Sequence, residues 1–294
     1  KALLTDHLVD PEVEGVVETL VQRIGLAAWA NNVEDFVLEK DNDGRGFSLR
    51  PVTAGSLGGL FFNRAERVLL MSGTILDFDA FCRSVGIPRD EAAFVSVPCT
   101  FPAKNRPVIV GDLDMSQKAR GTSWPKMVDA VVKILRYHEN DKGLLLTPSN
   151  TMLEYLRERL PPDLASRLVI MYGRDREEKF QKHAMSKAPT VLAASGAWEG
   201  MDLAGDLSRF QILPQLPRPQ LTPQVRARMN LEGSWYNWRT MCRLLQGTGR
   251  SVRSEKDFAV TYCLDRDLRK EWARGDKGLL PAWFREAVHY SKGG

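Results

Sequence analysis

Three motifs that would assign a chemistry at once are missing from the sequence. No Gly-Lys dipeptide occurs among its 294 residues, so the chain carries no phosphate-binding loop of the Walker A kind. Neither a Gly-x-Ser-x-Gly nucleophile elbow nor a His-Glu-x-x-His zinc motif is present. Residues 90–93 begin like an acidic DEAx box, but they follow a proline turn rather than an apolar strand, and we interpret them as the start of a helix.

Cysteine and histidine are scarce and scattered. The four cysteines (Cys82, Cys99, Cys242 and Cys263) form no Cys-x-x-Cys pair, and the four histidines are equally dispersed. Zinc and iron–sulfur sites need clustered ligands, so we expect no metal site built from this chain alone. We expect buried free thiols instead, which is typical of a reducing compartment.

Long apolar runs and a strong net charge are also absent. No run approaches the roughly 18 residues of a membrane span, and no signal peptide opens the chain. The composition is globular, with 43% hydrophobic and 27% charged residues, and the net charge of +4 is too small to prove a nucleic-acid partner. We predict a soluble protein of one large or two modest domains, and because the sequence starts at Lys1 we expect further residues upstream.

Short apolar runs alternate with amphipathic stretches from residue 67 onward. The predicted strands are 67–71, 107–110, 143–147, 168–171, 190–194, 210–213 and 258–264. The predicted helices are 79–85, 124–137, 150–160, 176–185, 223–229 and 235–245. Continuous apolar strands separated by helices predict an α/β fold, a doubly wound parallel sheet with helices on both faces.

The first 60 residues do not continue this alternation. Apolar spacing predicts a helix over 11–30, and an acidic, glycine-containing turn between 35–39 and 46–51 predicts a hairpin. We interpret this stretch as a helix-hairpin connector or the end of a preceding domain.

Two turns carry hydroxyl and amide side chains. Ser72 and Thr74 follow the predicted strand 67–71, and Ser149 and Asn150 open the helix after the strand Gly143–Thr147. A helix amino terminus of this kind suits a backbone phosphate. Both sets could instead be ordinary helix caps.

A third turn, residues 195–205, combines glycines with acids. Ser195 ends the preceding strand, and Glu199, Gly200 and Asp202 follow it. Glycine permits close backbone approach, and the carboxylates can hold a ribose, a magnesium-bound water or a partner arginine. As a generic glycine-rich loop this segment is a weak signal.

The fourth candidate ends the last long predicted helix. Gln246, Gly249, Arg250 and Arg253 lie close together, and the two arginines are three residues apart, so a helical turn would project both from one face. Guanidinium groups beside glycine suit a polyphosphate, because their planar donors match phosphate oxygens. The alternative is a pair of arginines on a solvated helix face.

In order and spacing these segments resemble the carboxyl-terminal motor domain of the XPD/DinG-like branch of superfamily 2 helicases. Ser72-Gly73-Thr74 is similar to that family's motif III, and 143–150 to its motif IV. The Glu-Gly-x-Asp core of 198–205 is similar to motif V, and 246–253 to motif VI. The resemblance extends over roughly residues 55–270.

The resemblance implies a RecA-like fold and a DNA motor whose ATP and Mg²⁺ lie between two lobes. Residues 1–60 would be the tail of the preceding motor domain or a connector, and 61–294 the RecA-like helicase C-terminal domain. The first motor domain, in cis or in a partner chain, would supply the phosphate loop and any iron–sulfur cluster. Such helicases move 5′ to 3′ on single-stranded DNA. We expect a cytoplasmic, nucleoid-associated or nuclear protein that is not secreted and has no membrane partner.

The resemblance also implies roles for individual residues. Those expected at the nucleotide are the arginine fingers Arg250 and Arg253, the coupling residues Gln246 and Asp202, and the contacts Glu199, Gly200 and Gly249. Those expected to hold single-stranded DNA are Ser72, Thr74, Ser149, Asn150 and Ser195. The chain departs from the family pattern at Arg218, Ala259 and Asp267. These departures leave an alternative open, a non-catalytic helicase-derived module that binds nucleic acid or protein.

We predict that the isolated chain hydrolyses no ATP, because one wall of the nucleotide site is missing from it. Phosphate release, measured with and without single-stranded DNA, should stay at the level of buffer alone. The full-length parent protein under the same conditions is the positive control. Measurable turnover by the clean isolated chain would contradict the prediction.

Overall fold

The computed structural model describes residues 36–40, 47–55, 58–172, 175–196 and 202–290. Its strands are β1 (Phe36–Lys40), β2 (Phe47–Pro51), β3 (Val108–Leu113), β4 (Gly143–Thr147), β5 (Leu168–Met171), β6 (Val191–Ser195), β7 (Phe210–Leu213), β8 (Val260–Asp265) and β9 (Val288–Tyr290). Its helices are α1 (Gly58–Phe62), α2 (Phe78–Val85), α3 (Arg120–Tyr137), α4 (Asn150–Arg159), α5 (Pro162–Ala165), α6 (Arg176–Met185), α7 (Pro223–Leu231), α8 (Trp235–Thr248), α9 (Asp267–Ala273) and α10 (Ala282–Arg285).

Seven of these strands form one sheet in the order β5–β6–β4–β7–β8–β3–β9. Every neighbouring pair in it is parallel. Side chains alternate between the two faces: Leu145 packs with α3 and α4, whereas Leu144 and Leu146 pack on the opposite face against Phe180 of α6. The predicted doubly wound α/β fold is confirmed.

Most of the predicted elements are confirmed, and three strands match to the residue. β4, β5 and β7 have the predicted bounds, because strands that are largely buried on both faces are continuous apolar runs. β1 and β2 form the predicted antiparallel hairpin. The short edge strand β9 was not predicted, since three residues are too few to show a pattern. The helix predicted over 11–30 lies outside the described residues.

The strand predicted over 67–71 is wrong. Residues 67–71 are in no strand or helix, and Leu69 and Met71 are 80% and 84% exposed. The apolar pattern is that of a strand, but a strand also needs a neighbouring strand to pair with. In the described sheet, residues 67–71 pair with neither of the outer strands, β5 and β9.

The helix start proposed for residues 90–93 is also wrong. The chain makes a single 3-10 turn at Arg89–Glu91 and is extended from Ala92. Arg89 is fixed by Asp79, whose Oδ1 lies 2.7 Å from its Nε, and by the ring of Phe78, 4.1 Å below the guanidinium. These contacts hold the turn against α2, and no helix starts at residues 90–93.

All four cysteines are free thiols, and Cys82, Cys242 and Cys263 are buried as predicted, whereas Cys99 is half-buried. Across the described ranges, no three His, Cys, Asp or Glu side chains come together in a way that could hold a metal ion. None of the helices described above combines the length and the apolar character that crossing a bilayer requires.

Strand β4 begins at Gly143, where a side chain would clash with Phe210. A Cβ on Gly143 would lie 2.3 Å from Cζ of Phe210. The Phe210 ring is fully buried and stacks on His138 with 4.4 Å between centroids. His138 is held in turn by hydrogen bonds to Asp141 (2.8 Å) and to the hydroxyl of Tyr262 (3.0 Å). The ring therefore cannot give way to a larger residue.

Gly143→Ala is expected to lower the free energy of unfolding by roughly 1–3 kcal/mol, because it overpacks this site. Gly121→Ala is the matched control: its Cβ would meet nothing within 4 Å, and it lies in helix α3. That control should leave stability unchanged or raise it by up to about 1 kcal/mol. Urea unfolding followed by circular dichroism measures both, and equal stabilities would contradict the packing argument.

His183 fastens the end of α6 to the turn before β7. Its Nε2 donates to the carbonyl of Leu207 (2.8 Å), so its Nδ1 accepts from the hydroxyl of Thr190 (2.9 Å). The imidazole is fully buried, and burial lowers its pKa below the ordinary value of 6.5.

Stability is therefore expected to fall as the pH drops below about 6.5, because the unfolded state then binds a proton that the folded state does not. Above that pH this contribution is fully present. Urea unfolding at a series of pH values between about 7.5 and 5.5 should show the loss, and His183→Gln should show a smaller one. The same pH dependence in both proteins would assign it to other groups.

Candidate functional site

The residues predicted to be functional lie at two opposite edges of the sheet. Ser149, Asn150 and Ser195 follow the carboxyl ends of β4 and β6, and we call them the carboxyl-edge cluster. The other described candidates lie at the amino ends of β3 and β8, around a cavity that we call the amino-edge cleft. The cleft residues among the candidates are Ser72, Thr74, Gln246, Gly249, Arg250 and Arg253.

The amino-edge cleft has a volume of about 330 Å³ and a lining of mixed chemistry. Phe101, Val108 and Phe284 are among its apolar residues. Its polar lining residues include the hydroxyl-bearing residues 72 and 74 and the arginines at 250 and 253. A cavity with apolar walls and a few convergent polar groups is the usual form of a small-molecule site.

Helix α8 brings the glutamine and the arginines to the cleft. Its Met241, Leu244 and Leu245 are buried against β3 and β8, and the helix ends at Gly249, whose N–H bonds the carbonyl of Leu245 at 3.1 Å. In the last turn, Oε1 of Gln246 is a buried acceptor to which no described residue donates a hydrogen bond. A buried acceptor of this kind is costly unless a ligand or a partner satisfies it.

The two arginines meet the acidic loop at this edge. Arg250 is buried, with 9% of its surface exposed, and its carbonyl accepts from the N–H of Leu203 (3.2 Å). Arg253 is exposed, and its Nε lies 3.1 Å from Oδ1 of Asp202. Asp257 accepts from the Arg253 N–H at 2.8 Å, and this bond lowers the pKa of that carboxyl. The predicted neighbourhood of Asp202 and the arginines is therefore present in the structure.

The turn that contains Ser72 and Thr74 is fastened to α8. Cys242 Sγ donates to the Thr74 carbonyl (3.1 Å), and Trp238 Nε1 donates to the Ile75 carbonyl (2.9 Å). Burial raises the pKa of Cys242 to about 12, so it stays a thiol donor. The capping role considered for Thr74 belongs to Asp77, which accepts from the N–H of Ala80.

Sequence reasoning missed Trp238 and Cys242. Their spacing of four residues on a predicted helix was visible, and it indicates a shared helix face. Nothing in the sequence indicated that side chains of this buried face donate hydrogen bonds to the carbonyls of residues 74 and 75. Half-buried Cys99, which also lines the amino-edge cleft, was not predicted there either.

The carboxyl-edge cluster is held together by side chains. Thr147 of β4 pairs with Ser195 of β6, and the Ser195 hydroxyl donates to Oδ1 of Asn150. Ser149 caps α4 by accepting from the N–H of Met152 (3.3 Å). The amino terminus of α4 is thus both capped by Ser149 and open to solvent at this edge. Of the remaining candidates, Glu199 and Gly200 lie outside the described residues.

Two positions that depart from the helicase pattern contact one another. Arg218 donates to Oδ2 of Asp265 (3.0 Å) and to Oδ2 of Asp267 (2.6 Å). Asp265 is 1% exposed and also accepts from the N–H of Leu216. The arginine therefore neutralises a buried carboxylate and ties the segment after β7 to the end of β8.

Comparison with known proteins points to one family. A family model described as "Helicase C-terminal domain" matches residues 131–287. The "ATP-dependent DNA helicase DinG" of Photobacterium profundum is 26% identical over 301 residues, which cover 90% of this chain and 40% of that protein. The "ATP-dependent DNA helicase YoaA" of Haemophilus influenzae is 23% identical, over 81% of this chain and 39% of that protein.

A third relative, the "Probable ATP-dependent helicase YpvA" of Bacillus subtilis, is 24% identical over 85% of this chain and 40% of its own length. The chain thus spans about two fifths of the length of the relatives it matches.

Solved structures support the fold. "XPD_APO" is 16% identical with a TM-score of 0.63, covering 97% of this chain and 63% of that one. "XPD_Helicase" is 14% identical with a TM-score of 0.63, covering 94% of this chain and 51% of that one. The RecA-like form of the sheet, implied by the resemblance, agrees with these structures.

Proposed function

We propose that this chain, which belongs to the Helicase C-terminal domain family and is the C-terminal helicase domain of an XPD/DinG-like helicase, serves as the second motor domain of an ATP-dependent DNA helicase. One observation carries the proposal. Two arginines, a glutamine with a buried acceptor and two hydroxyl-bearing residues line one cleft in a chain without a Gly-Lys phosphate loop. Such a cleft is half of a nucleotide site.

Arg250 and Arg253 act as arginine fingers on the γ-phosphate of ATP. Charge spreads over the phosphoryl oxygens during transfer, and guanidinium donors stabilise it, which in related motors contributes about 10³–10⁵ in rate. Arg250 is buried, so its interaction with phosphate is less screened than that of a surface arginine. Arg253 pairs with exposed Asp202, and a phosphate can replace that carboxylate at small cost.

Gln246 and Asp202 link nucleotide binding to cleft closure. The free acceptor of Gln246 suits a donor from the opposing lobe or an ordered water at the nucleotide. Gly249 allows close approach of the phosphates, and Glu199 and Gly200 remain predicted contacts. Mg²⁺ bound with ATP neutralises phosphate charge, and its protein ligands belong to the first motor domain in this proposal, as does any iron–sulfur cluster.

Single-stranded DNA lies at the opposite edge. The carboxyl-edge cluster offers hydroxyl, amide and helix-terminal N–H groups that suit backbone phosphates. Ser72 and Thr74, expected on the DNA, line the amino-edge cleft instead, and we assign them to the nucleotide side. Ser195 lies at the DNA edge and Asp202 pairs with Arg253 of the cleft, and the two residues are close in sequence, which favours coupling between the sites. Movement from 5′ to 3′ remains a prediction.

The first motor domain, in cis or in a partner chain, covers the cleft and the apolar segment beside it. Residues 67–71 have the composition of a strand, and Leu69 and Met71 are largely exposed. Val95 and Val97 are also largely exposed, at 81% and 78%. A contiguous exposed apolar segment such as 67–71 is typical of an interaction site. The division at residue 60 and a place in the cytoplasm or nucleus stay predictions.

A non-catalytic binding module is the second candidate, and one observation weighs against it. Three departures had favoured it, and one of them, Ala259, lines the amino-edge cleft. The other two, Arg218 and Asp267, form an ion pair of 2.6 Å that holds the end of β8. They are thus explained by packing at the carboxyl edge and say nothing against catalysis at the cleft.

In the full-length parent protein, Arg250→Ala is expected to lower the rate of ATP hydrolysis by roughly 10³-fold or more while largely keeping ATP affinity, because the finger acts on transition-state charge. Arg136→Ala is the matched control. Arg136 makes a surface ion pair with Asp163, away from the cleft, and exposed pairs of this kind contribute little to stability. Phosphate release and binding of a fluorescent ATP analogue measure the two quantities. Wild-type turnover by the Arg250 variant would remove the finger role and the function built on it.

A further inference from the structure

Tyr172 is an exposed aromatic residue at the carboxyl edge of the sheet, and it has no part in the roles assigned above. It follows β5, whose last residue, Met171, pairs with Ala194 of β6. Tyr172 is therefore level with Ser195 on the next strand, and adjacent strands lie about 4.7–4.9 Å apart. Tyr172 is exposed, with 37% of the residue accessible to solvent.

The ring is fixed by helix α4. Its hydroxyl donates to Oε1 of Glu154, which lies one helical turn after Asn150. Strand alternation agrees with this contact, since Ile170 faces the layer that contains α4. Arg157 pairs with Glu154 at 2.9 Å and offsets the negative charge that the carboxylate would otherwise present to DNA. The ring thus stands beside the carboxyl-edge cluster in one defined orientation.

We propose that Tyr172 is a stacking platform for a base of single-stranded DNA whose phosphates contact Ser149, Asn150 and Ser195; this inference rests on the proposed function. The cluster offers polar groups that suit phosphate but nothing for the apolar face of a base. An exposed ring beside it supplies that contact, and stacking tolerates any base sequence. Because the Glu154 bond already orders the ring, little side-chain entropy is lost on binding.

The test measures DNA affinity of the full-length parent protein by fluorescence anisotropy. Two labelled oligomers of equal length are compared, oligo-dT and the same strand with abasic sites in place of bases. Three variants are compared with the wild type. Tyr172→Ala removes the ring, and Tyr172→Phe removes only the hydroxyl. Tyr137→Ala removes another exposed tyrosine, 80% accessible, at the end of α3 before the amino end of β4.

Tyr172→Ala is expected to weaken oligo-dT binding roughly 5- to 100-fold and to leave abasic-strand binding at the wild-type level. Tyr137→Ala should bind both strands like the wild type. Tyr172→Phe keeps the ring but loses the Glu154 bond that orders it, so it should lose much less oligo-dT affinity than Tyr172→Ala and bind the abasic strand like the wild type. A loss that is equal on both strands would indicate disturbed phosphate contacts and overturn the stacking role. A Phe variant as weak as the Ala variant, or an Ala variant as tight as the wild type, would overturn it as well. A wild type that binds neither strand would instead refute the DNA motor, and the stacking role with it.

Discussion

Helix α8 packs Met241, Leu244 and Leu245 against the sheet, and from the same helix Cys242 and Trp238 donate to the carbonyls of residues 74 and 75. Both donor side chains are buried, so these bonds cannot exchange with water without loss of packing. The helix ends where the arginine segment begins. The turn after residue 71 and the arginine segment therefore share one support and form the walls of one cleft.

This arrangement explains how several polar side chains can be held together at one edge of an apolar sheet. The buried acceptor of Gln246 is costly in isolation, and the cost is acceptable where a ligand or a neighbouring lobe completes the site. Arg253 keeps an exposed carboxylate partner, Asp202, which is easily replaced. At the other edge, Ser195 and Asn150 are joined by a hydrogen bond and remain open to solvent. The two edges are chemically distinct, as two different ligands would require.

The predicted bounds were correct for strands whose place in the fold is decided by burial alone. β4, β5 and β7 are largely buried within the sheet, so apolar runs of their length could have no other place in the fold. Prediction failed for residues 67–71, whose pattern is that of a strand, because a strand also needs a neighbouring strand and this segment pairs with none in the described sheet. It also missed β9, which is held at the edge by pairing with β3 rather than by its own composition.

The sequence by itself determined the parallel α/β fold and the presence of four polar segments, because periodicity and spacing are local properties. Through the resemblance of their motifs, the sequence also assigned Asp202 and Arg253 to the same nucleotide site. Only the tertiary structure decided that Ser72 and Thr74 lie with the arginines and not with Asn150, and that Tyr172 lies beside the carboxyl-edge cluster. The physical reason is that neighbours across a sheet are fixed by strand order and by the edge at which each loop leaves, and neither is encoded in a local pattern.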